Sequence, residues 1–356
     1  MTDRFAPARA VLQHAIADRA FPAAVIEVGD STRPIWREPF GTLSFDPAAT
    51  ATTDDTIFDL ASLTKVLSTT PLLMRDVECG ALALEDRVVD YIPEWQGADR
   101  ASVTLRDLLA HCGGLAAHRP FYLSLRGRAE FQRAICAEPL EYAPRSKSIY
   151  SDLGFMLLGF MLERESSLPE RFTTMLTQMG GLQDLQFNPP EIWKQRTAPT
   201  EFDQWRGRLL LGEVDDNNTF ALGGAAGQAG LFGSAAAVGE CARHLLQVRA
   251  GRTGVFRRDT LETFITRRPD IPGSSRALGW DTMLPTSSCG TRMSSTAFGH
   301  TGFTGTSLWI DPVRRAYVVL LTNRVHPTPA NQAIGEVRRA VHDAVFEAWD
   351  KHHPRA

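Results

Sequence analysis

Ser62 and Lys65, two residues with complementary chemistry, are separated by two positions in the first fifth of the chain. On a helix this spacing places both side chains on one face, within reach of each other. A serine hydroxyl becomes nucleophilic when a neighbouring base takes its proton, and burial of a lysine among apolar side chains lowers its pKa toward the range of a base. A helix start also offers free N–H groups that stabilise an oxyanion. The pair predicts acyl transfer to Ser62, although by itself it fits a capping serine and a surface lysine equally well.

Two later segments carry groups that can hold or move protons. Tyr150 lies where a loop enters an apolar helical segment that starts at Asp152, so its phenol would be held rigidly. His300 begins a segment that leads into strand-like sequence in the last part of the chain. Only four of the 38 cationic residues are lysines, and arginine stays protonated and cannot act as a base. Lys65, the only lysine three residues after a serine, is therefore the one candidate amine for this chemistry.

Other polar clusters fit structural roles better than ligand binding. His111 and His118 flank Cys112 but have no third metal ligand at a convincing spacing. Asp215 and Asp216 open an oxygen-rich segment that lacks the spaced glutamate of a calcium loop and resembles a turn. The five cysteines include no CxxC pair, which argues against a zinc knuckle and a disulfide framework. We predict no metal site and no cofactor.

The composition is that of an ordinary globular protein, and its 356 residues are enough for two domain-sized bodies. A formal net charge of −3 gives no general reason to bind nucleic acid or an anionic membrane surface. No stretch approaches about 20 uncharged apolar residues, and the first residues contain no signal-peptide core. We expect a soluble, cytoplasmic protein, unless a leader was trimmed, that acts on a small molecule. The sequence leaves its oligomeric state open.

The periodicity of apolar residues predicts which elements position these side chains. Helices are expected over residues 104–111, 152–163, 169–179 and 329–350, and strands over residues 22–29, 277–284, 306–310 and 316–322. The helix that starts at Asp152 is apolar on every side and should be fully buried. We therefore predict a split α/β domain with a central antiparallel sheet, formed by residues 1–75 and 220–356, and a mainly helical inserted domain over residues 76–219.

The ordered set of Ser-x-x-Lys at Ser62, a Tyr-x-Asn-like segment at Tyr150 and a His-Thr-Gly segment at His300 resembles the class C β-lactamase family of penicillin-recognising serine hydrolases. Residues 107–115 also resemble that family's Leu-Leu-x-His-x-x-Gly-Leu segment, and the similarity extends from Val25 to about Arg324. The family includes DD-peptidases, which are penicillin-binding proteins, and family VIII carboxylesterases. The resemblance implies an α+β fold in which helices flank an antiparallel sheet.

The resemblance also implies a role for each motif residue. Ser62 would be the acylated nucleophile, Lys65 its activating partner and Tyr150 a proton shuttle, with the first base left open between the last two. The oxyanion hole would use the backbone amides of Ser62 and Phe303. His300 would hold Tyr150 by a hydrogen bond and help to orient substrate, beside the other third-motif residues, which are Thr301 and Gly302.

Two departures from the family pattern bear on the substrate. Asp152 replaces an asparagine that contacts the substrate amide, and His300 replaces a permanently charged lysine; both changes weaken anion recognition. They favour a carboxylesterase acting on neutral esters, with a β-lactamase or DD-peptidase acting on amides as the alternative. A binding or sensor protein without turnover is a further alternative. Arg324 would restore a cation to the site, although a lone arginine after a strand is more often a solvated surface charge.

Overall fold

A computed structural model describes residues 4–352 of the chain. The helices of this part are α1 (Ala6–Ala17), α2 (Thr70–Glu78), α3 (Leu105–Leu109), α4 (Gly127–Ala137), α5 (Asp152–Leu162), α6 (Leu168–Gln178), α7 (Asn217–Ala221), α8 (Ala235–Arg249), α9 (Arg258–Ile265) and α10 (Ile334–His352). A π-helical turn at Lys65–Thr69 precedes α2, and short 3₁₀ turns lie at Val88–Asp90, Phe121–Leu123 and Glu191–Arg196.

Eleven strands in the described residues form three sheets. They are β1 (Ala23–Asp30), β2 (Pro34–Gly41), β3 (Phe58–Asp59), β4 (Leu185–Phe187), β5 (Phe202–Asp203), β6 (Arg208–Leu209), β7 (Leu231–Gly233), β8 (Asp281–Thr282), β9 (Phe298–Thr301), β10 (Ser307–Asp311) and β11 (Ala316–Thr322). The main sheet is antiparallel, in the order β2-β1-β11-β10-β9-β8. Small sheets join β3-β7-β4 and β5-β6.

The central strands of the main sheet are apolar on both faces because helices cover both. Ile26 and Val318 belong to an apolar cluster with α1 and α10, whereas Val25 and Val319 belong to a second cluster with α8. This alternation is the period of two that side chains follow along a strand. The second cluster also includes Leu157 of α5, so the sheet and the helical region share one core.

The predicted antiparallel sheet and most of the predicted helices are present. Every residue of α5 after Asp152 is buried, as its uniformly apolar sequence predicts. The strand predicted over residues 277–284 is wrong for most of its length, because Gly279 adopts a positive φ of 83° in a turn and only Asp281–Thr282 pairs with β9. The last helix begins at Ile334 and not at Pro329, because the carbonyls of Pro329 and Asn331 accept hydrogen bonds from Arg324 in a preceding loop. The division at residues 75 and 220 stays a prediction.

Candidate active site

Most of the predicted site residues line a cavity of about 380 Å³ between the segment at Ser62, the β9–β10 turn and the first turns of α10, whereas Lys65 and Asp152 are not among its lining residues. Ser62, Tyr150, His300 and Phe303 line it. A larger cavity of about 600 Å³ lies beside α2 and α6, but it is lined by none of the predicted site residues. We place the candidate site in the smaller cavity, because the groups able to carry out acyl transfer are there.

Ser62 lies at a sharp turn between β3 and the helical segment. Ala61 has a positive φ of 46°, a strained conformation for a residue with a side chain, and the Asp59 carboxylate accepts the Ala61 N–H at 2.8 Å. The following turn is π-helical, with the N–H of Thr70 bonded to the carbonyl of Lys65. Pro71 lacks the N–H that an α-helix would use at that position, which accounts for an irregular turn just before it.

Lys65 is completely buried and donates three hydrogen bonds. Its Nζ lies 3.0 Å from Ser62 Oγ, 2.7 Å from Asp152 Oδ1 and 3.0 Å from the carbonyl oxygen of Gln228. Burial opposes the charge on the amine, but the Asp152 carboxylate and Tyr150 outweigh it and hold the pKa of Lys65 above its ordinary value. The predicted lowering of the Lys65 pKa is therefore wrong, because these neighbours outweigh the effect of burial. In this arrangement Lys65 is an ammonium paired with Asp152.

Tyr150 completes the contacts of the nucleophile, with its hydroxyl 2.8 Å from Ser62 Oγ. Burial raises the pKa of Tyr150, against the opposing effect of the nearby Lys65. The ring is fixed because Ser151, the next residue, caps α5 and donates its N–H to Nδ1 of His111 at 3.0 Å. The His111 ring in turn packs 4.7 Å from the Tyr150 ring, centroid to centroid. As predicted, the phenol is held at a helix start.

His300 lies beside Tyr150 but forms no hydrogen bond with it. The ring centroids are 5.7 Å apart, His300 Nδ1 contacts the Thr301 carbonyl at 2.8 Å, and its buried Nε2 has no partner within residues 4–352. The predicted hydrogen bond to Tyr150 is therefore wrong. Burial, together with the positive charges of Arg276 and Lys65, lowers the pKa of His300 well below its ordinary value. The imidazole is therefore neutral at pH 7.

The amides proposed for the oxyanion hole are both available. In the described part of the chain, no protein acceptor is found for the N–H of Ser62 or of Phe303. Gly302 lets the β9–β10 turn lie close to the segment that carries Ser62, because a Cβ at this position would lie 2.1 Å from Thr306 Oγ1 and 2.6 Å from the Leu60 carbonyl oxygen. The Thr306 hydroxyl also donates to the Leu60 carbonyl at 3.0 Å, which ties the β9–β10 turn to the nucleophile segment.

Three arginines line the same cavity: Arg276, Arg324 and Arg338. The interpretation of Arg324 as a solvated surface charge is wrong, because the residue is only 5% exposed. Neither Arg276 nor Arg338 is predicted as a site residue from the sequence. Arg338 had a detectable signal, since it lies on the buried side of α10 with Ile334 and Val341, whereas Arg276 comes from an irregular loop with no periodic pattern. Within residues 4–352, none of the three lies within 4.0 Å of a carboxylate.

The other polar clusters do not form metal sites. No group of three or more histidine, cysteine, aspartate or glutamate residues suited to a metal is present in residues 4–352. Asp216 caps α7 by accepting the N–H of Thr219, a local role that agrees with the turn prediction. The five cysteines are free. No helix in the described part of the chain is both long and apolar enough to span a bilayer.

Comparison with known proteins connects this geometry to a family. Residues 8–343 match the Beta-lactamase family. A protein of Escherichia coli (strain K12), provisionally named D-alanyl-D-alanine carboxypeptidase, is 33% identical over 327 residues, which cover 82% of this chain and 74% of that protein. The structure of EstCE1, described as a hydrolase with promiscuous acyltransferase activity, has a TM-score of 0.76 at 21% identity and covers 96% of this chain and 98% of its own.

A penicillin-binding protein homologue from Caulobacter crescentus has a TM-score of 0.74 at 20% identity, and the match covers 97% of this chain and 98% of that one. At these identities the two solved structures show that the fold is shared. The match to the family itself covers nearly the whole chain. The chain therefore belongs to the β-lactamase family, and it is a serine hydrolase with the α+β fold of that family.

Proposed function

We propose that the protein hydrolyses an amide or ester that carries a carboxylate close to the scissile bond, through an acyl-enzyme on Ser62. The observation that carries this proposal is the charge of the cavity. Three guanidinium groups line it, and Asp281 is the one carboxylate among its lining residues in the described chain. A cavity with excess positive charge recruits anionic ligands, so a substrate carboxylate would supply the charge that the protein does not.

Arg276 is the side chain best placed to contact that carboxylate. Its guanidinium has no hydrogen bond or ion pair to any described residue, and it lies 5.2 Å from the centroid of the Tyr150 ring. Arg324, by contrast, donates to the carbonyls of Phe303, Pro329 and Asn331. An uncommitted guanidinium offers a carboxylate two parallel N–H donors. The name of the Escherichia coli relative, a carboxypeptidase for D-alanyl-D-alanine, agrees with a substrate of this kind.

The contacts of Ser62 support a route for its proton. During acylation a bond forms between Ser62 Oγ and the substrate carbonyl carbon, and the bond to the leaving group breaks. Lys65 accepts the serine proton after it has lost one of its own, for which Asp152, 2.7 Å away, is the nearest carboxylate acceptor. Tyr150, 2.8 Å from Ser62 Oγ, then protonates the leaving group. Water attacks the acyl-enzyme in the second half, with the proton transfers reversed.

The test compares two substrates that differ only in the carboxylate, N-acetyl-D-alanyl-D-alanine and its C-terminal amide. We expect the wild-type protein to release D-alanine from the first with a kcat/KM at least about tenfold higher than for cleavage of the second, and Ser62→Ala to lose both activities. Arg276→Met should remove the preference, because a bidentate contact is lost. Arg133→Met, an exposed arginine on α4, is the matched control. Equal hydrolysis of both substrates by the wild type would contradict the proposal.

A neutral carboxylic ester is the second candidate substrate, and the motif residues favour it. His300 is neutral, and the charge of Lys65 is balanced by Asp152, so the positions of the motifs contribute no net charge. The hydrolase EstCE1 shares the fold. Turnover of p-nitrophenyl acetate that depends on Ser62, is insensitive to Arg276→Met and exceeds all peptide cleavage would favour this candidate over the first.

A further inference from the structure

Arg338 has an unusual environment for an arginine. It is only 8% exposed, and its Nε is buried without a partner in the described residues. No carboxylate within residues 4–352 lies within 4.0 Å of its guanidinium. A buried cation without a counter-ion is costly to a folded protein, so its position calls for a reason other than stability.

The hydrogen bonds of Arg338 go to the turn that follows β9. One nitrogen, Nη2, donates to the Gly302 carbonyl at 2.8 Å and to the Thr306 carbonyl at 2.7 Å. These two residues also close the turn, because the N–H of Gly302 donates to the Thr306 carbonyl at 2.7 Å. Arg338 therefore connects α10 to both ends of the β9–β10 turn.

The Gly302 carbonyl and the Phe303 N–H belong to the same peptide group. In a trans peptide the two bonds point in opposite directions, so a donor that fixes the carbonyl on one side also fixes the N–H on the other. A charged donor on the carbonyl further polarises the peptide and strengthens its N–H as a donor. The N–H of Phe303, like that of Ser62, lacks an acceptor among the described residues, and we assign it to the oxyanion hole.

We infer that Arg338 is a positioning residue of the oxyanion hole: its guanidinium orients and polarises the peptide whose N–H, that of Phe303, receives the oxyanion. The inference rests on the proposed acylation of Ser62. Arg324 holds the next peptide in a similar way, because its Nε donates to the Phe303 carbonyl at 2.8 Å. Of the two arginines, only Arg338 contacts the carbonyl of the peptide that carries the assigned N–H, and this carbonyl also accepts the N–H of Gly305 at 3.1 Å.

The experiment uses p-nitrophenyl acetate, a neutral ester, so that any role of Arg338 in binding a substrate carboxylate has no influence. We expect Arg338→Met to lower kcat about 10- to 100-fold and to change KM by less than about threefold. Outright loss of an oxyanion donor costs about 10²- to 10³-fold, and here the donor remains but is less well held. Arg338→Lys should recover part of the loss, because both carbonyls accept from a single nitrogen that an ammonium can replace.

Arg339→Met is the matched control. Arg339 lies on the same helix and also donates to backbone carbonyls, those of Pro285 and Ser287, away from the β9–β10 turn. Arg339→Met should leave kcat for p-nitrophenyl acetate unchanged. A boronic acid that forms a tetrahedral adduct with Ser62 provides a second measurement, since its inhibition constant should rise by the factor by which kcat falls. A role limited to stability would change the melting temperature without this parallel.

Wild-type kcat in a folded Arg338→Met protein would overturn the inference, as would a loss confined to carboxylate-bearing substrates. If Arg338→Met does not fold, Arg338→Gln takes its place with the same expected loss, because its side chain is shorter and neutral. Ester turnover that survives Ser62→Ala would instead overturn the proposed function, and the inference with it. If Ser62→Ala abolishes ester turnover and Arg338→Met leaves it unchanged, only the positioning role of Arg338 is rejected.

Discussion

Two sides of the site around Ser62 differ in net charge. On one side, which we call the balanced side, Lys65 and Asp152 form a close ion pair, so their charges cancel. On the other side, which we call the unbalanced side, Arg276, Arg324 and Arg338 bring three positive charges to the cavity without a carboxylate within 4.0 Å in residues 4–352. Balanced charges suit proton transfer, which requires groups that exchange protons with each other. Unbalanced charges suit binding, because they leave a partner to be supplied by a ligand.

Loss of the amine on the balanced side should have the largest effect. Lys65→Met removes the group that contacts both Ser62 and Asp152, so we expect acylation of Ser62 to slow at least about a thousandfold, as for other groups that act as a unit with a nucleophile. Labelling by a fluorophosphonate, followed by intact-protein mass spectrometry, measures this rate. Lys147→Met, which alters a lysine outside the site, is the control. Unchanged labelling of the Lys65→Met protein would remove Lys65 from the mechanism.

Charge reversal on the unbalanced side should have the next largest effect. Arg276→Glu places a carboxylate where we propose that the substrate carboxylate binds, and the repulsion should lower kcat/KM for N-acetyl-D-alanyl-D-alanine by about tenfold or more. Hydrolysis of p-nitrophenyl acetate should change little. Arg133→Glu introduces the same charge on the distant surface and serves as the control. Equal losses for both substrates would indicate that Arg276 supports the site rather than the substrate.

Asp152→Asn converts the balanced side into an unbalanced one and should change the pH dependence. The Asp152 carboxylate raises the pKa of Lys65, so its removal lowers that pKa. If Lys65 must lose a proton to act as a base, the rising limb of the kcat/KM profile for p-nitrophenyl acetate moves to lower pH in the variant. At pH 7 the change should stay below about tenfold, because the nucleophile and the amine both remain. If the rising limb stays at the same pH or moves to higher pH, the effect of the Asp152 carboxylate on the pKa of Lys65 is contradicted.

Added salt should give the smallest effect and distinguish the two sides without mutation. Salt screens the attraction between the arginines and a substrate carboxylate, with a Debye length of about 10 Å at 0.1 M and 3 Å at 1 M. We expect KM for N-acetyl-D-alanyl-D-alanine to rise about two- to fivefold over this range, while KM for the neutral ester stays constant. Parallel changes in both KM values would indicate a general effect of salt on the protein.

The two sides also differ in how far the sequence predicts them. Short motifs that are local in sequence, such as Ser62 with Lys65, locate the balanced side, and a buried apolar helix indicates where Tyr150 is held. The charge state of Lys65 was not predictable in this way, because it depends on the exact approach of Asp152, 87 positions away. Counting apolar neighbours gives only the desolvation part of a pKa, whereas the ion pair decides its direction.

The unbalanced side comes from elements that share no motif. Arg276 precedes β8 in an irregular loop, Arg324 follows β11, and Arg338 lies on α10, so only the folded sheet brings them together. Of the three, Arg338 could have been recognised as a polar residue on the buried stripe of a helix. The sheet order and the buried helix α5 followed from patterns of apolar residues, which depend on burial alone.

The π-helical turn at Lys65–Thr69 changes the direction in which side chains before it point relative to those of α2 after it. A π turn contains about one residue more than an α turn, and one residue corresponds to a rotation of about 100° around a helix axis. At the start of the turn, the Lys65 amine reaches Ser62, which lines the cavity; downstream, α2 buries Leu72 and Leu73 in the core. If the whole segment were a regular α-helix, burying Leu72 and Leu73 in the core would rotate the Lys65 amine away from Ser62. The inserted residue thus lets the requirements of the core and of catalysis be met independently along a single stretch of backbone.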